Sequence, residues 1–339
     1  MTSNTDPLSS LLAEKGVLLA DGATGTSLFE MGLTSGEAPE LWNEAKPENI
    51  TKLHQDFVDA GADIILTNSF GGTAQRLKLH NAQDRVHELN RLAAEIARKV
   101  ADAAPRKVIV AGSVGPTGEL FEPMGALTHD VAVNSFREQM EGLKAGGVDV
   151  LWIETMSSDE EIRAAAQAAM VTGLPYVFTA SFDTAGKTMM GLAPADIHKV
   201  HAALSAHPLA VGANCGVGAS DLLSSVLDMT QADPDAIVVA KANCGIPVVR
   251  GDKVEYTGTP QLMSDYACFA MDAGARIIGG CCGTSCEHLA AMRTAIDTHQ
   301  KRERPDIAAI ISAIGPMKNA TSAANDAQPK RERKGRRRG

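Results

Sequence analysis

The 339-residue sequence has few aromatic residues and no long apolar run. Aromatic residues make up 4% of the chain, which is too few for the stacking platforms that hold single-stranded nucleic acid. No stretch approaches the ~20 apolar residues of a membrane helix, so we expect no membrane span. The amino-terminal segment lacks the basic stretch and apolar run of a secretory signal, and we therefore expect a cytoplasmic location.

Charge is spread unevenly along the chain. The formal net charge is -9, which argues against a nucleic-acid partner. Residues 330–339 carry seven Lys or Arg and one Glu, which leaves a net -15 on the preceding 329 residues. We interpret the segment 299–339 as an extension that begins with a helix over Ile307–Ile314 and ends in a disordered, solvated basic tail.

Eight short apolar runs recur between Gly, Asn, Asp and Ser, and this pattern predicts buried parallel strands. They cover residues 16–21, 62–68, 107–113, 148–154, 175–181, 209–214, 236–243 and 275–280. Helical patterns follow them over residues 47–60, 84–103, 131–145, 159–172, 194–205, 220–230, 259–273 and 286–298. The alternation predicts an α/β fold, a (β/α)8 TIM barrel over residues 10–298 with a short C-terminal extension. A doubly wound open sheet is the alternative.

Cysteines stand at two of the predicted strand ends, where a barrel builds its active site. Cys281 and Cys282 follow the eighth strand in a glycine-rich frame, and Cys215 ends the sixth. Three thiolates with one open position would form a catalytic zinc site. Buried free thiols are the alternative, and spacing alone leaves both open. We interpret Cys268 as a core thiol and leave the roles of Cys244 and Cys286 open.

A thiolate-rich zinc ion suits a thiol substrate, because the metal lowers the thiol pKa and leaves a nucleophilic sulfur that can attack a methyl group. The segment Asp21–Thr26 offers glycine-flanked backbone N–H groups to a carboxylate. Asp21 and Glu154, at the ends of the first and fourth strands, could together hold an α-ammonium group. Helix capping is the alternative for each of these residues.

Six segments resemble the zinc-dependent homocysteine S-methyltransferases. That family includes betaine–homocysteine methyltransferase, the S-methylmethionine-dependent enzymes and the homocysteine domain of cobalamin-dependent methionine synthase. The segments are DGATGT from Asp21, GADIILTNSFGG from Gly61, AGSVGPTGE from Ala111, WIET from Trp152, GANCGVG from Gly212 and GGCCGTSCEH from Gly279. They occur in family order within about residues 14–298, and the pairing of GxNC with GGCCG is the most specific.

The resemblance implies a zinc barrel that forms methionine from homocysteine. Cys215, Cys281 and Cys282 match the family's zinc ligands, and Asp21 and Glu154 match the acidic residues that hold the homocysteine amino group. The remaining substrate-binding residues implied by the resemblance are Gly22, Ala23, Thr24, Ser113 and Asn214. The implied partners are homocysteine and a small methyl donor, and a homo-oligomer is compatible with the family.

The resemblance leaves the methyl donor open. Betaine enzymes place a Tyr directly after the Phe of the TNSF segment, where this chain has Gly71, so an aromatic cage would need Trp42 or Tyr256. Residues 242–247 resemble methionine synthase, but the chain is too short for cobalamin domains. We favour glycine betaine or a related onium donor. The alternatives are the homocysteine-methylating subunit of a split synthase, fed by a separate corrinoid protein, and a non-catalytic zinc-stabilised scaffold.

Overall fold

The computed structural model describes residues 6–245, 247–250 and 253–319. The expected disorder of the basic tail falls on residues outside these ranges, and the division of the chain at residue 298 stays a prediction. Within the described residues, no helix has both the length and the apolar composition needed to cross a membrane.

Eight parallel strands form one sheet, and a two-stranded antiparallel hairpin lies beside it. The strands are β1 (Leu18–Leu19), β2 (Ile64–Leu66), β3 (Ile109–Val114), β4 (Val150–Met156), β5 (Tyr176–Ala180), β6 (Ala210–Cys215), β7 (Val238–Ala242), the hairpin β8 (Pro247–Arg250) and β9 (Lys253–Tyr256), and β10 (Ala275–Gly280). The sheet order is β1-β10-β7-β6-β5-β4-β3-β2. A parallel bridge between Ala20 and Ile64 joins its two ends. The predicted barrel is therefore confirmed and the open sheet is not formed.

Helices surround the barrel and connect its strands. The α-helices are α1 (Pro7–Lys15), α2 (Thr24–Glu30), α3 (Trp42–Ala45), α4 (Pro47–Asp59), α5 (Ala74–Leu77), α6 (Val86–Ala103), α7 (His129–Ala145), α8 (Asp159–Thr172), α9 (Ile197–Ala202), α10 (Ala219–Ala232), α11 (Pro260–Asp272), α12 (Cys286–Thr298) and α13 (Ile307–Ile314). Short 3-10 turns cover Pro39–Leu41, Lys78–His80, Gln83–Arg85 and Pro194–Asp196.

Local capping explains why the longer helices begin and end where the sequence pattern places them. The side chains of Ser158 and Thr259 accept the backbone N–H groups of Glu161 and Leu262 at the starts of α8 and α11. Gly173 ends α8 in the left-handed region at φ 72°. The patterns missed the helices α1, α2, α3 and α5 and the hairpin β8–β9. Apart from α1, each of these helices and strands has seven residues or fewer, which is too few to show a period.

The apolar core has two layers. Side chains that point into the barrel pack on one another at its amino end, and Trp152 is the largest of them. Outward-facing strand residues pack against the helices in a larger second layer. The last described segment also contacts the barrel wall, because α13 packs on α10 and α11 and the backbone N–H groups of Lys318 and Asn319 donate to Asp221.

A buried carboxylate, Asp63, ties together the amino end of the barrel. Its Oδ1 lies 2.6 Å from Lys15 Nζ and its Oδ2 lies 3.0 Å from an Arg293 guanidinium nitrogen. Oδ2 also accepts the backbone N–H of Leu19 at 3.0 Å. Asp63 thus links α1, β1 and α12 at the seam where β1 meets β2, far from the polar strand ends.

We expect Asp63→Asn to lower the free energy of unfolding by about 2–3 kcal/mol, because it leaves Lys15, Arg293 and the more distant Arg106 without their buried partner. Urea denaturation followed by circular dichroism measures the change. Asp56→Asn is the control, since Asp56 pairs with Lys52 on the exposed face of α4 and should change stability little. Equal stability of the Asp63 variant and the wild type would contradict this role.

Candidate functional site

A cavity of about 360 Å³ opens at the carboxyl ends of the barrel strands. This volume is at the small end of the range for pockets that bind small molecules, ~300–1,000 Å³. Most predicted site residues line it, namely Asp21, Gly22, Ala23, Thr24, Ser113, Glu154, Cys215, Cys281 and Cys282. The barrel therefore brings together residues that are up to 261 positions apart in the sequence.

The three predicted thiol ligands lie side by side on one wall of this cavity. The Sγ atoms of Cys215, Cys281 and Cys282 are all within 4.8 Å of one another. They come from β6 and from the loop after β10, with β7 between these strands in the sheet. The Cys281 N–H donates to Ala242 O at 2.7 Å, which fixes the second loop against β7. Three sulfur donors at this spacing fit a thiophilic metal ion with an open position.

One of the three cysteines and a neighbouring threonine hold backbone conformations that residues other than glycine rarely adopt. Cys215 and Thr155 both have φ 62°. Asn214 stabilises this arrangement, because its Oδ1 accepts the Thr155 N–H at 2.8 Å and its Nδ2 donates to Thr155 Oγ1 at 2.7 Å. Its Nδ2 also lies 3.9 Å from Cys281 Sγ. Asn214 thus orients the strand ends and contacts a thiol, and it does not line the cavity.

Hydrogen bonds within the cluster and burial raise the pKa of each of the three thiols, which favours the neutral form. The hydrogen bond with Cys281, together with burial, raises the pKa of Cys215 to about 12. The hydrogen bond with Cys215, again together with burial, raises the pKa of Cys282 to about 11. A bound metal ion would reverse this preference, since thiolates and not thiols are metal ligands, and binding would release protons.

The same cavity is lined by the two predicted carboxylates, Asp21 and Glu154, and by a lysine, Lys241, that the sequence patterns missed. Lys241 of β7 is 2% exposed, and its Nζ lies 2.6 Å from Asp21 Oδ1. Glu154 is 8% exposed, and its Oε1 accepts Ser113 Oγ at 2.5 Å. Burial raises the pKa of Glu154, and the charge of Lys241 opposes that shift. Burial alone would lower the pKa of Lys241, but the carboxylates of Asp21 and Glu154 outweigh it and raise that pKa.

The loop after β1 is held against the loop after β10. The Ala23 N–H donates to Thr284 O at 3.0 Å, so this group is already paired. A Cβ on residue 22 would approach Thr284 O to 2.4 Å, which explains why the position is glycine. Thr24 begins α2 and lines the cavity together with Gly22 and Ala23. Of the three residues predicted near a substrate carboxylate, Ala23 therefore cannot offer its N–H without losing a bond.

The outer part of the cavity carries both an aromatic ring and charged groups. Phe70 is 39% exposed and lines the cavity beside Glu40 and Arg76. Glu40 is buried, accepts the Gly71 N–H at 2.6 Å, and has a pKa raised by burial. A Cβ at residue 71 would approach Glu40 Oε1 to 2.9 Å. Glu40 therefore fills the space that a Tyr side chain would need to leave Gly71.

Neither aromatic residue that we expected at the donor position lines the cavity. Trp42 is 4% exposed, and Lys46 Nζ lies over its ring at 4.0 Å from the centroid. Tyr256 is half-buried against Gly283 and hydrogen-bonds to Cys282, which places it beside the thiols. Burial near Cys282 raises its pKa. Phe70 is the aromatic side chain that sequence reasoning missed.

The other cysteines lie outside the cluster of three thiols among the described residues. Cys244 is buried, and burial raises its pKa to about 12. Cys286 is exposed at the start of α12. Cys268 is half-buried beside the barrel wall and not in the core, because the outer face of α11 reaches solvent there.

Comparisons with known proteins place this chain in one family. Residues 18–296 match the family model of the homocysteine S-methyltransferases. Methionine synthases of Mycobacterium tuberculosis and Mycobacterium leprae are each 29% identical, over 88% and 86% of this chain. Those alignments cover 26% and 25% of the two synthases, so the chain spans about a quarter of their length.

Solved structures agree with the sequence comparison. The homocysteine methyltransferase MmuM of Escherichia coli, in its oxidised form, superposes with a TM-score of 0.72 at 25% identity. The match covers 86% of this chain and 99% of that one. Its metallated form gives a TM-score of 0.71 at 25% identity, over 85% and 99% of the two chains. The chain is therefore a methyltransferase and belongs to the homocysteine S-methyltransferase family.

Proposed function

We propose that this protein forms methionine by moving a methyl group from an onium compound to the sulfur of homocysteine, with Zn²⁺ as its metal. The observation that carries the proposal is the cavity itself. Three thiols within 4.8 Å of one another line it, and so do the carboxylates of Asp21 and Glu154. One cavity thus offers a metal site for a thiol and negative charge for an ammonium group, which are the two ends of homocysteine.

The donor set supports zinc. Sulfur ligands favour Zn²⁺ over Mg²⁺ or Ca²⁺, and three protein ligands are typical of catalytic zinc sites. Escherichia coli MmuM, which is similar in structure, exists in a metallated form. Bound zinc would lower the pKa of a substrate thiol and favour its thiolate. The reducing cytoplasm, where we place the protein, would keep the three cysteines available as ligands.

The remaining polar residues orient the amino acid. Glu154, fixed by Ser113, attracts the α-ammonium group, and Asp21 adds negative charge behind it. The substrate carboxylate lies towards the backbone of Gly22 and Thr24. Asn214 acts indirectly, because its amide holds the strand end that carries Cys215 and donates towards Cys281. These contacts direct the substrate sulfur towards the metal site formed by the three cysteines.

The transfer itself needs no base from the protein once the thiol has lost its proton. The sulfur attacks the donor methyl carbon, an S–CH₃ bond forms, and the bond from that carbon to the onium atom breaks. The electron pair of the broken bond stays on the donor, which leaves as a neutral amine or sulfide. A positively charged donor therefore releases a good leaving group, a neutral amine or sulfide, and this supports an onium compound.

The rim of the cavity supports glycine betaine or a related zwitterion as donor. Phe70 offers an aromatic face to the onium group, and Glu40 offers a buried carboxylate in place of the Tyr of the betaine enzymes. Arg76 lines the same part of the cavity and suits the donor carboxylate.

A corrinoid protein is the second candidate donor, because the two mycobacterial methionine synthases contain the matching region within much longer chains. The segments that match the two mycobacterial methionine synthases make up about a quarter of those proteins. A cavity of about 360 Å³ is too small to enclose a corrinoid, so methylcobalamin would be presented at its mouth by a separate protein.

We expect Cys215→Ala and Cys282→Ala to lose bound zinc and methionine formation together, because two thiolates hold the ion far more weakly than three. Metal analysis of the purified variants by plasma mass spectrometry measures zinc per chain. Cys268→Ala is the matched control and should keep both zinc and activity. Full activity of either site variant would contradict the metal site.

Glu154→Ala should raise the apparent KM for homocysteine about 10–100-fold, since a charged hydrogen bond to the ammonium group is lost. Zinc content should stay at the wild-type level, because Glu154 does not touch the thiols. Steady-state kinetics and metal analysis measure the two quantities. Glu161→Ala removes an equally buried carboxylate that binds Thr117 outside the cavity, and its KM should not change.

A donor screen distinguishes the two donor classes. Zinc-loaded protein and homocysteine are combined with glycine betaine, dimethylsulfoniopropionate, S-methylmethionine or free methylcobalamin, and methionine is measured by mass spectrometry. We expect methionine from at least one onium donor. Turnover with methylcobalamin and with none of the onium compounds would favour a corrinoid partner instead.

Phe70→Ala should lower kcat/KM for the onium donor about 3–30-fold, because an aromatic contact with a desolvated cation is removed. The KM for homocysteine should stay unchanged. Phe29→Ala is the control, because Phe29 is 53% exposed on α2 and does not line the cavity. An unchanged donor constant in the Phe70 variant would place the onium group elsewhere.

A further inference from the structure

Lys241 is a buried cation in the floor of the active-site cavity. A lysine is almost never fully buried unless a partner of opposite charge is present. Here the side chain is 2% exposed, and its Nζ lies 2.6 Å from Asp21 Oδ1. The same Nζ lies 5.9 Å from the centroid of the buried Trp152 ring. Its position on β7, facing the barrel interior, makes Lys241 part of the site.

The carboxylates of Asp21 and Glu154 differ in how many of their oxygens already accept a hydrogen bond. Asp21 Oδ1 binds Lys241, and Asp21 Oδ2 accepts the Leu66 N–H at 2.7 Å. Glu154 Oε1 accepts Ser113 Oγ. Within the described residues, the other Glu154 oxygen has no hydrogen-bond partner. An incoming ammonium group therefore finds its free acceptor on Glu154 and not on Asp21.

The net charge of Asp21, Glu154 and Lys241 also favours binding of an ammonium group. Asp21, Glu154 and Lys241 together carry one uncompensated negative charge, and their burial makes such a charge costly. The α-ammonium group of homocysteine supplies the missing positive charge. A thiol without an amino group leaves the imbalance in place.

We propose that Lys241 is a positioning residue for the amino group of the substrate. By binding Asp21, it leaves Glu154 as the acceptor of the ammonium group, and it sets the net charge of the three side chains to match one positive group. This inference rests on the proposed function. The family resemblance implies that Asp21 and Glu154 both bind the ammonium group, and we assign that contact to Glu154 alone. Without Lys241, Asp21 competes for the ammonium group and draws the substrate away from Glu154.

The test compares homocysteine with 4-mercaptobutanoate, the same thiol without its amino group. The readout is the amino preference, defined as the ratio of their kcat/KM values with one onium donor. We measure it for the wild type, Glu154→Gln, Lys241→Met and the Lys241→Met/Glu154→Gln double variant. Zinc content and thermal unfolding of each protein report on a merely structural effect.

In the wild-type background, Glu154→Gln should reduce the amino preference about 30-fold, as expected for the loss of a charged hydrogen bond. In the Lys241→Met background, the same change should cost less than about 3-fold, because Asp21 then accepts the ammonium group. An equal loss in both backgrounds would overturn the proposal. A loss of kcat/KM in Lys241→Met that is the same for both thiols would also overturn it, because Lys241 would then act on the carboxylate or on the fold.

The variant Asp21→Asn/Lys241→Met covers the case in which Lys241→Met does not fold, because it removes two opposite charges together and leaves the net charge of the site unchanged. It should keep the amino preference within about 3-fold of the wild type, and adding Glu154→Gln should then abolish it. Loss of the preference in the two-residue variant would make Asp21 the acceptor and overturn the inference. If the wild type itself forms no methionine from homocysteine with any donor, the proposed function fails and not this assignment.

Discussion

The ion pair between Asp21 and Lys241 contributes both to the closure of the barrel and to the charge of the cavity at its carboxyl end. Strand β1 has two residues, and one bridge connects it to β2. Asp21 strengthens that seam, because its Oδ2 accepts the Leu66 N–H while its Oδ1 reaches across to β7. A buried ion pair seldom adds much stability over apolar packing. Its retention here agrees better with a role in setting charge within the cavity.

The strand and helix positions could be predicted because a parallel barrel imposes a simple pattern on the sequence. Every strand of the eight-stranded sheet is buried on both faces, so it appears as an apolar run, and its polar residues stand at the end that faces the cavity. Asp21, Glu154 and the three cysteines were found in that way. The same logic offered a signal for Lys241, since a charged residue inside the run Val238–Ala242 needs a buried partner. The identity of that partner needed the fold.

The donor end of the cavity could not be predicted because it depends on loops whose packing has no period. Trp42 was a candidate for an aromatic cage, but its side chain is buried and Lys46 Nζ lies over its ring. Phe70 looked like part of a motif, but its ring lies on the cavity rim over Gly115, where a Cβ would approach it to 2.7 Å. Glu40 lies in a segment with no motif and reaches the site only because it accepts the Gly71 N–H.

Asn214, which does not line the cavity, connects the cysteines to the strand end that carries Glu154. Asn214 holds Thr155, the residue after Glu154, and it precedes Cys215 in β6. Thr155 and Cys215 both keep left-handed backbones, a conformation that persists only where neighbours hold it. Thr179 Oγ1 adds a further bond to Asn214 Oδ1 at 2.6 Å. One buried amide therefore sets the position of Cys215 and of the residue beside Glu154, so the barrel itself fixes the spacing between this thiol and this carboxylate.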